Sequence, residues 1–272
     1  MPFIIVISAY ALPYAGKERL FVTYINTEER MIQLMLCIAI AYWIRSLVFY
    51  IGARRAANPT KVQGNTAELP AITVVVAARN EEKTIARCIH SLAALDYPAD
   101  KLEIILMNDG SVDNTATIIS SLLTSYPAIK YFDVQEENSH LRGKTAALAQ
   151  AFDMAKGEIF ISTDADCAVP PQWLKEVASY FDAKTGIVGG FTLQEYSSLF
   201  SAVQSLDWAY LLTHASSGAG LGTPIGCIGN NLAIRREAYE SMGGYRNIPF
   251  SVTEDFALLK AVCKTERWEY KY

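Results

Sequence analysis

Histidine and cysteine are scarce in this chain of 272 residues, and their spacing argues against several kinds of site. The chain has three histidines and five cysteines, and no two cysteines have the C-x-x-C spacing. An odd number of widely separated cysteines argues against a zinc site and against a disulfide framework. It is typical of isolated core thiols in a reducing compartment. The histidines are isolated along the chain, so we assign no chemistry to them.

A strong positive charge is also absent. Lysine and arginine number 24 against 28 aspartates and glutamates, which gives a formal net charge of −4. Proteins that bind nucleic acid normally carry a basic face, so we expect no nucleic acid partner. Apolar residues make up 51% of the chain and charged residues 19%, which is typical of a folded protein rather than a disordered one.

One long apolar run lies near the N-terminus. Residues 31–52 are strongly apolar, with Gln33 and Arg45 as the main exceptions, and about 20 such residues can span a bilayer as a helix. Basic residues lie mainly at and after the end of the run and acidic residues precede it, so the positive-inside bias predicts a cytosolic location for the rest of the chain. A buried or interfacial amphipathic helix is the alternative. A shorter apolar run at residues 2–14 is either a second helix or sequence flanking one.

The remainder of the chain alternates between strand-like and helix-like segments. Residues 71–78 form a continuous β-branched run, which predicts a strand buried on both faces. Asn80 is expected to cap the next helix, with Glu81 and Glu82 in its first turn. Further strands are predicted at residues 102–107, 130–134, 158–163 and 232–234, with apolar helical stripes between them. This order predicts an α/β fold with a mostly parallel sheet.

Acidic side chains follow two of the predicted strands, and a third acidic pair opens a helical stretch. These clusters are Asn108-Asp109-Gly110-Ser111, Asp164-Ala165-Asp166 and Glu254-Asp255. Ligands bind parallel sheets outside the carboxyl ends of the strands, so the clusters are expected to share one cleft. Neighbouring carboxylates repel each other, and a divalent cation carrying a phosphate would relieve that repulsion. The pattern therefore indicates an enzyme that acts on a nucleotide diphosphate.

Six motifs follow one another between about residue 69 and the end. They are Val-Val-Val-Ala-Ala-Arg-Asn-Glu-Glu (74–82), Met-Asn-Asp-Gly-Ser-Val-Asp-Asn-Thr (107–115), Gly-Lys-Thr-Ala-Ala-Leu (143–148), Thr-Asp-Ala-Asp (163–166), Gly-Gly-Tyr (243–245) and Thr-Glu-Asp-Phe (253–256). These motifs and their order resemble those of family 2 glycosyltransferases. The apolar N-terminal run is similar to that of membrane-bound members. The resemblance implies a GT-A fold, a nucleotide-sugar donor that is most often a UDP-sugar, and Mg²⁺ or Mn²⁺. It also implies inverting transfer to an acceptor hydroxyl that one carboxylate activates.

On the donor side, the resemblance makes Asp109 the partner of the base and ribose. Ala78, Arg79 and Glu81 would line the same pocket. An Asx-turn is the alternative for Asp109, and a carboxylate in the first turn of a helix is the alternative for Glu81. Lys144 starts a predicted helix, where a cation and backbone N–H groups favour phosphate; a solvated surface lysine is its alternative.

The remaining candidates concern the metal ion and the chemical step. Asp164 and Asp166 are spaced so that both can face one side of an extended segment. They would hold the cation, with Asp164 also beside the nucleotide. The resemblance makes Asp255 the general base, while Glu254 would contact the acceptor. Capping of a helix N-terminus is the alternative for Glu254 and Asp255, and a carboxylate of a turn or a cap is the alternative for Asp164 and Asp166.

The glycine-rich segment before the strand at 232–234 suits close approach to a sugar. Asn230 and Asn231 there are expected to contact donor or acceptor hydroxyls, with turn chemistry as the alternative. Trp208 and Tyr210 are candidates for stacking on an acceptor, although such aromatics are more often part of a core.

These segments divide the chain into a membrane-associated part at residues 1–57, a linker at 58–70 and a GT-A domain at 71–272. Because the sequence stops on a strand-like run, we expect this domain to be truncated at its C-terminus. The acceptor is either a lipid or a polysaccharide, which points to cell-envelope or glycolipid biosynthesis. Two alternatives remain: a nucleotidyltransferase of similar fold, and an inactive membrane-anchored sugar-binding protein.

Overall fold

The structure is a computed structural model that describes residues 27–57, 69–137, 140–249 and 251–272. The apolar run at 2–14 and most of the expected linker lie outside these described residues. The chain divides into two compact units, and the division falls between Arg45 and Ser46.

Helix α1 spans Thr27–Ala56 and is longer at both ends than the predicted 31–52. Its 30 residues correspond to about 45 Å of helix, against a hydrocarbon core of about 30 Å. The segment Glu29–Ala56 has a mean hydropathy of 2.0 in its most apolar window, and none of that window is buried in the protein. By length and composition, this helix is able to cross a membrane.

The described residues form one seven-stranded sheet. Its strands are β1 (Ile72–Ala78), β2 (Leu102–Asn108), β3 (Ile129–Asp133), β4 (Ile159–Asp164), β5 (Thr185–Gly189), β6 (Leu232–Arg235) and β7 (Glu269–Lys271). Their order in the sheet is β3-β2-β1-β4-β6-β5-β7. Strands β1 to β4 run parallel to one another, whereas β6 is antiparallel to both β4 and β5. The prediction of a mostly parallel α/β sheet is therefore confirmed.

Helices cover both faces of this sheet. They are α2 (Ile85–Ala93), α3 (Thr115–Leu123), α4 (Lys144–Met154), α5 (Trp173–Ala178), α6 (Leu199–Gly220), α7 (Arg236–Ser241) and α8 (Glu254–Cys263). Alternation along β1 directs Val74 towards a core layer with α2, α3 and α5, and Val75 towards a layer with α4, α7 and α8. Because β1 has core on both sides, it requires the unbroken apolar run seen in the sequence.

The loop after β1 differs from the prediction. Helix α2 begins at Ile85, so Asn80 does not cap it and Glu81 lies before its first turn. Asn80 has a positive φ of 58°, which asparagine tolerates better than most residues. Its main-chain N–H donates to the Ser111 hydroxyl, and its side-chain oxygen accepts from the N–H of Val112. Asn80 therefore ties the loop after β1 to the loop after β2.

Gly157 lies between the end of α4 and the start of β4. Helix α4 ends at Met154, and Ala155 rather than Gly157 stands at its C-terminal cap. A Cβ on Gly157 would overlap the main chain of Ile72 and Thr73. Glycine is needed there because the chain passes close to β1 as it enters β4, and no left-handed φ is involved.

Candidate active site

The register of the sheet brings the ends of three strands together. Ala78 of β1 pairs with Asn108 of β2, and Ala77 pairs with Asp164 of β4. The N–H of Asp109 donates to the Ala78 carbonyl at 2.9 Å. Three of the predicted site residues, namely Ala78, Asp109 and Asp164, therefore lie along one edge of the sheet.

Asp109 faces Arg79 across this edge. An Nη of Arg79 lies 3.3 Å from Oδ2 of Asp109, whose side chain is only 17% exposed while that of Arg79 is 63% exposed. A Cβ built on Gly143, just before α4, would lie 3.8 Å from the same oxygen. The start of α4 therefore closes on the pair, and the mostly exposed arginine contributes little to stability.

Glu81 lies in the same loop, but its side chain has a local partner. The Thr84 hydroxyl donates to its carboxylate at 2.7 Å, and the Glu81 N–H donates to the Thr115 hydroxyl at 2.7 Å. These bonds order the loop between β1 and α2.

Lys144 is the centre of the charged part of the site. Its Nζ donates to Oδ1 of Asp164 at 2.5 Å and lies 3.8 Å from Oε1 of Glu254. Burial lowers the pKa of Lys144, but the charges of Asp164, Glu254 and Asp255 outweigh burial and raise the pKa above its ordinary value. Lys144 therefore stays charged and links the end of β4 to the start of α8.

Asp255 approaches the same place from α8. A Cβ built on Gly229 would lie 3.3 Å from Nζ of Lys144 and 3.7 Å from Oδ2 of Asp255. The other oxygen of Asp255 accepts from the Phe256 N–H at 2.7 Å, and Thr253 makes no capping bond with its side chain. Asp255 and Lys144 thus converge beside a residue that has no side chain.

Asp166 lies in the turn that follows β4 and is exposed. Arg87 of α2 donates to its main-chain oxygen at 2.7 Å and pairs with Glu195 at 2.7 Å. Asp166 lines a cavity of about 440 Å³ together with residues of α6 and of the loop before it. The same cavity is also lined by Arg87, Glu195, Ser201, Gln204, Trp208 and Asn230.

Within the described residues, no group of three or more His, Cys, Asp or Glu side chains is arranged to hold a metal ion. The two carboxylates of Asp164 and Asp166 are ligands that a hard divalent cation prefers. Asp164 is paired with the ammonium group of Lys144, and Asp166 is exposed. Carboxylate oxygens of this kind fit a cation whose remaining ligands would be phosphate oxygens or water.

Asn230 and Asn231, in the turn Gly229–Asn231, were predicted to share one role, but the structure places their side chains in different environments. Asn230 lines the cavity of Asp166, and its oxygen accepts from the Thr192 hydroxyl at 2.8 Å. Both ends of the Asn231 amide are used within the protein, since it accepts from Trp173 Nε1 and donates to the Phe191 carbonyl. Asn231 lines a different cavity.

Arg87 was not predicted from the sequence as part of the site. It lies on the exposed side of α2, where its spacing resembles that of any solvated residue, and its contact with Asp166 joins positions 79 residues apart. Gly229 belongs to the glycine-rich segment that was predicted to approach a sugar closely, and in the structure it lies beside Lys144 and Asp255.

A family model described as Glycosyl transferase family 2 matches residues 73–243. Among curated proteins, the chain is 29% identical over 201 residues to the beta-monoglucosyldiacylglycerol synthase of Synechocystis sp., which covers 71% of this chain and 40% of that protein. It is 30% identical over 223 residues to the poly-beta-1,6-N-acetyl-D-glucosamine synthase of Staphylococcus aureus, covering 80% of this chain and 52% of that protein. The chain therefore spans about half the length, or less, of these relatives.

Solved structures support the fold. The mannosyltransferase PcManGT from Pyrobaculum calidifontis, in complex with GDP-Man and Mn²⁺, superposes with a TM-score of 0.66 at 23% identity, covering 87% of this chain and 64% of that one. Glucosyl-3-phosphoglycerate synthase from Mycobacterium tuberculosis, in complex with Mn²⁺, UDP and phosphoglyceric acid, gives 0.51 at 21% identity, covering 78% and 72%. Both structural similarities concern the fold alone, that is, the arrangement of the sheet and its helices.

Proposed function

This chain belongs to glycosyl transferase family 2, and on that premise we propose that it moves a sugar from a nucleoside diphosphate sugar to an acceptor hydroxyl. The observation that carries the proposal is the convergence of Lys144, Asp164 and Asp255 around Gly229. One lysine and two carboxylates, each from a different helix or strand, meet there, beside the strand ends where parallel sheets bind nucleotides.

The donor occupies the edge formed by β1, β2 and the start of α4. Asp109, positioned by Arg79, accepts hydrogen bonds from the base and ribose of a UDP-sugar, and Ala78 and Glu81 border the same pocket. Lys144 exchanges part of its contact with Asp164 for the diphosphate, assisted by the N–H groups at the start of α4. Asp164 and Asp166 would hold Mg²⁺ or Mn²⁺, which when bound offsets the charge of the leaving diphosphate.

The chemical step is a single displacement with inversion. The acceptor oxygen attacks the anomeric carbon, the bond from that carbon to the diphosphate oxygen breaks, and Asp255 takes the proton of the attacking hydroxyl. Asp255 must lie within about 3 Å of that hydroxyl. Gly229 has no side chain, and this leaves room for the hydroxyl beside Asp255. Glu254 and Asn230 contact acceptor or sugar hydroxyls; Asn231, also predicted to do so, would act through its neighbour Asn230.

Helix α1 anchors the enzyme in a membrane, and the GT-A domain at 71–272 lies on the cytosolic side. This orientation is supported by Arg54 and Arg55 in the last turn of the helix and by Glu29 near its start. The acceptor is a lipid or a polysaccharide, since one curated relative is named for a glucosyldiacylglycerol and another for a poly-N-acetylglucosamine.

The test begins with a screen of UDP- and GDP-sugars by thermal shift of the full chain in detergent with Mn²⁺. The best donor is then incubated with membrane extract, and the products are identified by mass spectrometry. The variant Asp255→Asn should lower transfer by about 10²–10⁴-fold while calorimetric binding of the donor stays unchanged. Asp100→Asn, an exposed acid before β2 at the opposite edge of the sheet, is the matched control. Full transfer by Asp255→Asn would exclude this residue as the base.

A further inference from the structure

The loop before α6 and the first half of that helix carry an unusual number of uncovered apolar side chains. Leu193 is 74% exposed, Leu199 84%, Phe200 73% and Leu206 71%. Tyr196, Val203, Tyr210 and Leu211 are also exposed. We call these eight residues the α6 apolar surface. Soluble proteins rarely leave such a contiguous set uncovered without a partner.

This surface has almost no charge. Residues 191–213 contain no lysine or arginine, and their two acids are Glu195 and Asp207. Glu195 is paired with Arg87 at 2.7 Å. The partner is therefore held by burial of apolar area rather than by attraction between charges.

The second half of α6 packs against the last turns of α1, within the larger unit that begins at Ser46. The rings of Phe49 and His214 lie 4.4 Å apart. Gly52 and Gly220 approach so closely that a Cβ on either would overlap the main chain of the other helix. Small residues that allow such contact are typical of helices that associate in lipid.

The exposed apolar side chains continue from α6 onto this part of α1. Leu47, Val48, Tyr50 and Ile51 are 40–60% exposed, and they belong to the helix whose length and composition suit a membrane span. One apolar environment would therefore cover both helices, and this continuity identifies the partner of the α6 apolar surface.

We propose that the α6 apolar surface docks into the interfacial layer of a lipid bilayer, next to α1. This proposal rests on the membrane anchoring included in the proposed function. Leucine and aromatic side chains contribute the apolar area that such interfacial helices bury. Because residues 191–213 contain no lysine or arginine, docking of the α6 apolar surface should not depend on anionic lipid or on salt concentration.

The docking has a consequence for catalysis. Ser201, Gln204 and Trp208 of the same helix line the cavity that contains Asp166. Leu193 of the α6 apolar surface also lines this cavity, and an α-helix with its side chains is about 10 Å across, so lipid head groups at this surface lie within about one helix width of the cavity. A membrane lipid with a hydroxyl-bearing head group is the acceptor class that this arrangement favours.

The test uses the full chain in phosphatidylcholine vesicles, with the photo-crosslinker p-benzoylphenylalanine placed at Phe200 or at Leu206. Position Ile40 in α1 reports on the anchor, and Ser120, exposed on α3, is the matched control. Lipid adducts are quantified by mass spectrometry. We expect adducts at Phe200 and Leu206 to exceed those at Ser120 by about tenfold, with no decrease in high salt.

Each outcome separates the two proposals. Adducts at Ile40 without adducts at Phe200 and Leu206 would overturn docking and leave the anchor intact. Adducts at neither place would overturn both. Cross-links between two copies of the chain in place of lipid adducts would replace the bilayer with a second copy. Adducts at Phe200 and Leu206 alone would support docking without the anchor.

A double substitution adds an independent control. Leu199→Ser with Leu206→Ser removes apolar area from two exposed positions, so folding should not change. Lipid adducts at Phe200 should then fall by about tenfold or more, whereas those at Ile40 stay constant. Unchanged adducts at Phe200 would contradict the proposal.

Discussion

Nζ of Lys144 lies 2.5 Å from Oδ1 of Asp164, joining the first residue of α4 to the last residue of β4. Both side chains are about one-third exposed, at 33% and 34%, so a ligand can reach the pair from solvent. The contact lowers the repulsion among the neighbouring carboxylates, and in the proposed donor site it would place an ammonium group beside the diphosphate.

Lys144→Met should weaken binding of UDP by about tenfold, because a charge-assisted hydrogen bond to phosphate is lost. Lys144→Arg keeps the charge and should retain part of the affinity. Isothermal titration calorimetry measures both. Lys175→Met removes a comparable pair, that with Asp96 at 2.7 Å, away from the site, and should bind UDP normally. Normal binding by Lys144→Met would remove the lysine from the donor site.

Asp166→Ala should abolish the gain in donor affinity that Mn²⁺ provides, while binding without the metal stays the same. The reason is that Asp166 is the exposed carboxylate of the pair and a hard cation requires such oxygen ligands. Titrations with and without Mn²⁺ give the difference, and Asp100→Ala serves as the control. A variant with the full Mn²⁺ effect would show that Asp166 is not a ligand.

Gly157→Ala should lower the free energy of unfolding by about 1–3 kcal/mol, because the new Cβ overlaps the main chain at Thr73. Gly226→Ala is the matched control, since its Cβ would lie 3.6 Å from the nearest atom, Cβ of Ala215. Chemical denaturation of both variants provides the comparison. Equal stabilities would mean that the sheet adjusts to the extra methyl group.

Asp182→Asn should destabilise the protein at neutral pH and less so in acid. Partial burial raises the pKa of Asp182, but hydrogen bonds from Lys271, the Lys184 N–H and Thr185 outweigh it and hold the pKa well below its ordinary value of 3.8. A depressed pKa stabilises the folded state above the unfolded value, and this contribution is lost as the pH falls towards the folded value.

Denaturation of wild type and Asp182→Asn at pH 7 and at pH values from about 4 down to about 2 measures this effect. The difference in unfolding free energy should shrink as the pH falls. Lys271→Met removes the ionic partner at 2.7 Å and should show the same trend. A difference that grows in acid would contradict the assigned hydrogen bonds.

Much of the fold could be predicted from the chain because its signals are local. The buried run at Ile72–Ala78 and the stripe of Ile85, Cys88, Ile89 and Leu92 follow the periods of a strand and a helix, and the structure buries both as expected. The placement of carboxylates after strands was predictable for the same reason, since parallel strands end at one edge.

Other features depended on long-range packing. The insertion of antiparallel β6 between β4 and β5 has no local sequence signal. The same is true of the different environments of Asn230 and Asn231, because turn-forming residues look alike in a sequence. The cap expected at Asn80 failed because hydrogen bonds to the loop after β2 compete with helix formation.

By itself, the order of apolar runs and polar strand ends determined the type of fold and the region of the site, since periodicity and polarity act over a few residues. Only the tertiary structure decided which side chains meet. The contact of Lys144 with Asp164, the hold of Arg87 on the turn of Asp166, and the approach of Gly52 to Gly220 join residues that lie far apart in sequence. Such contacts form only when packing of the whole sheet and its helices brings those segments to a few ångströms.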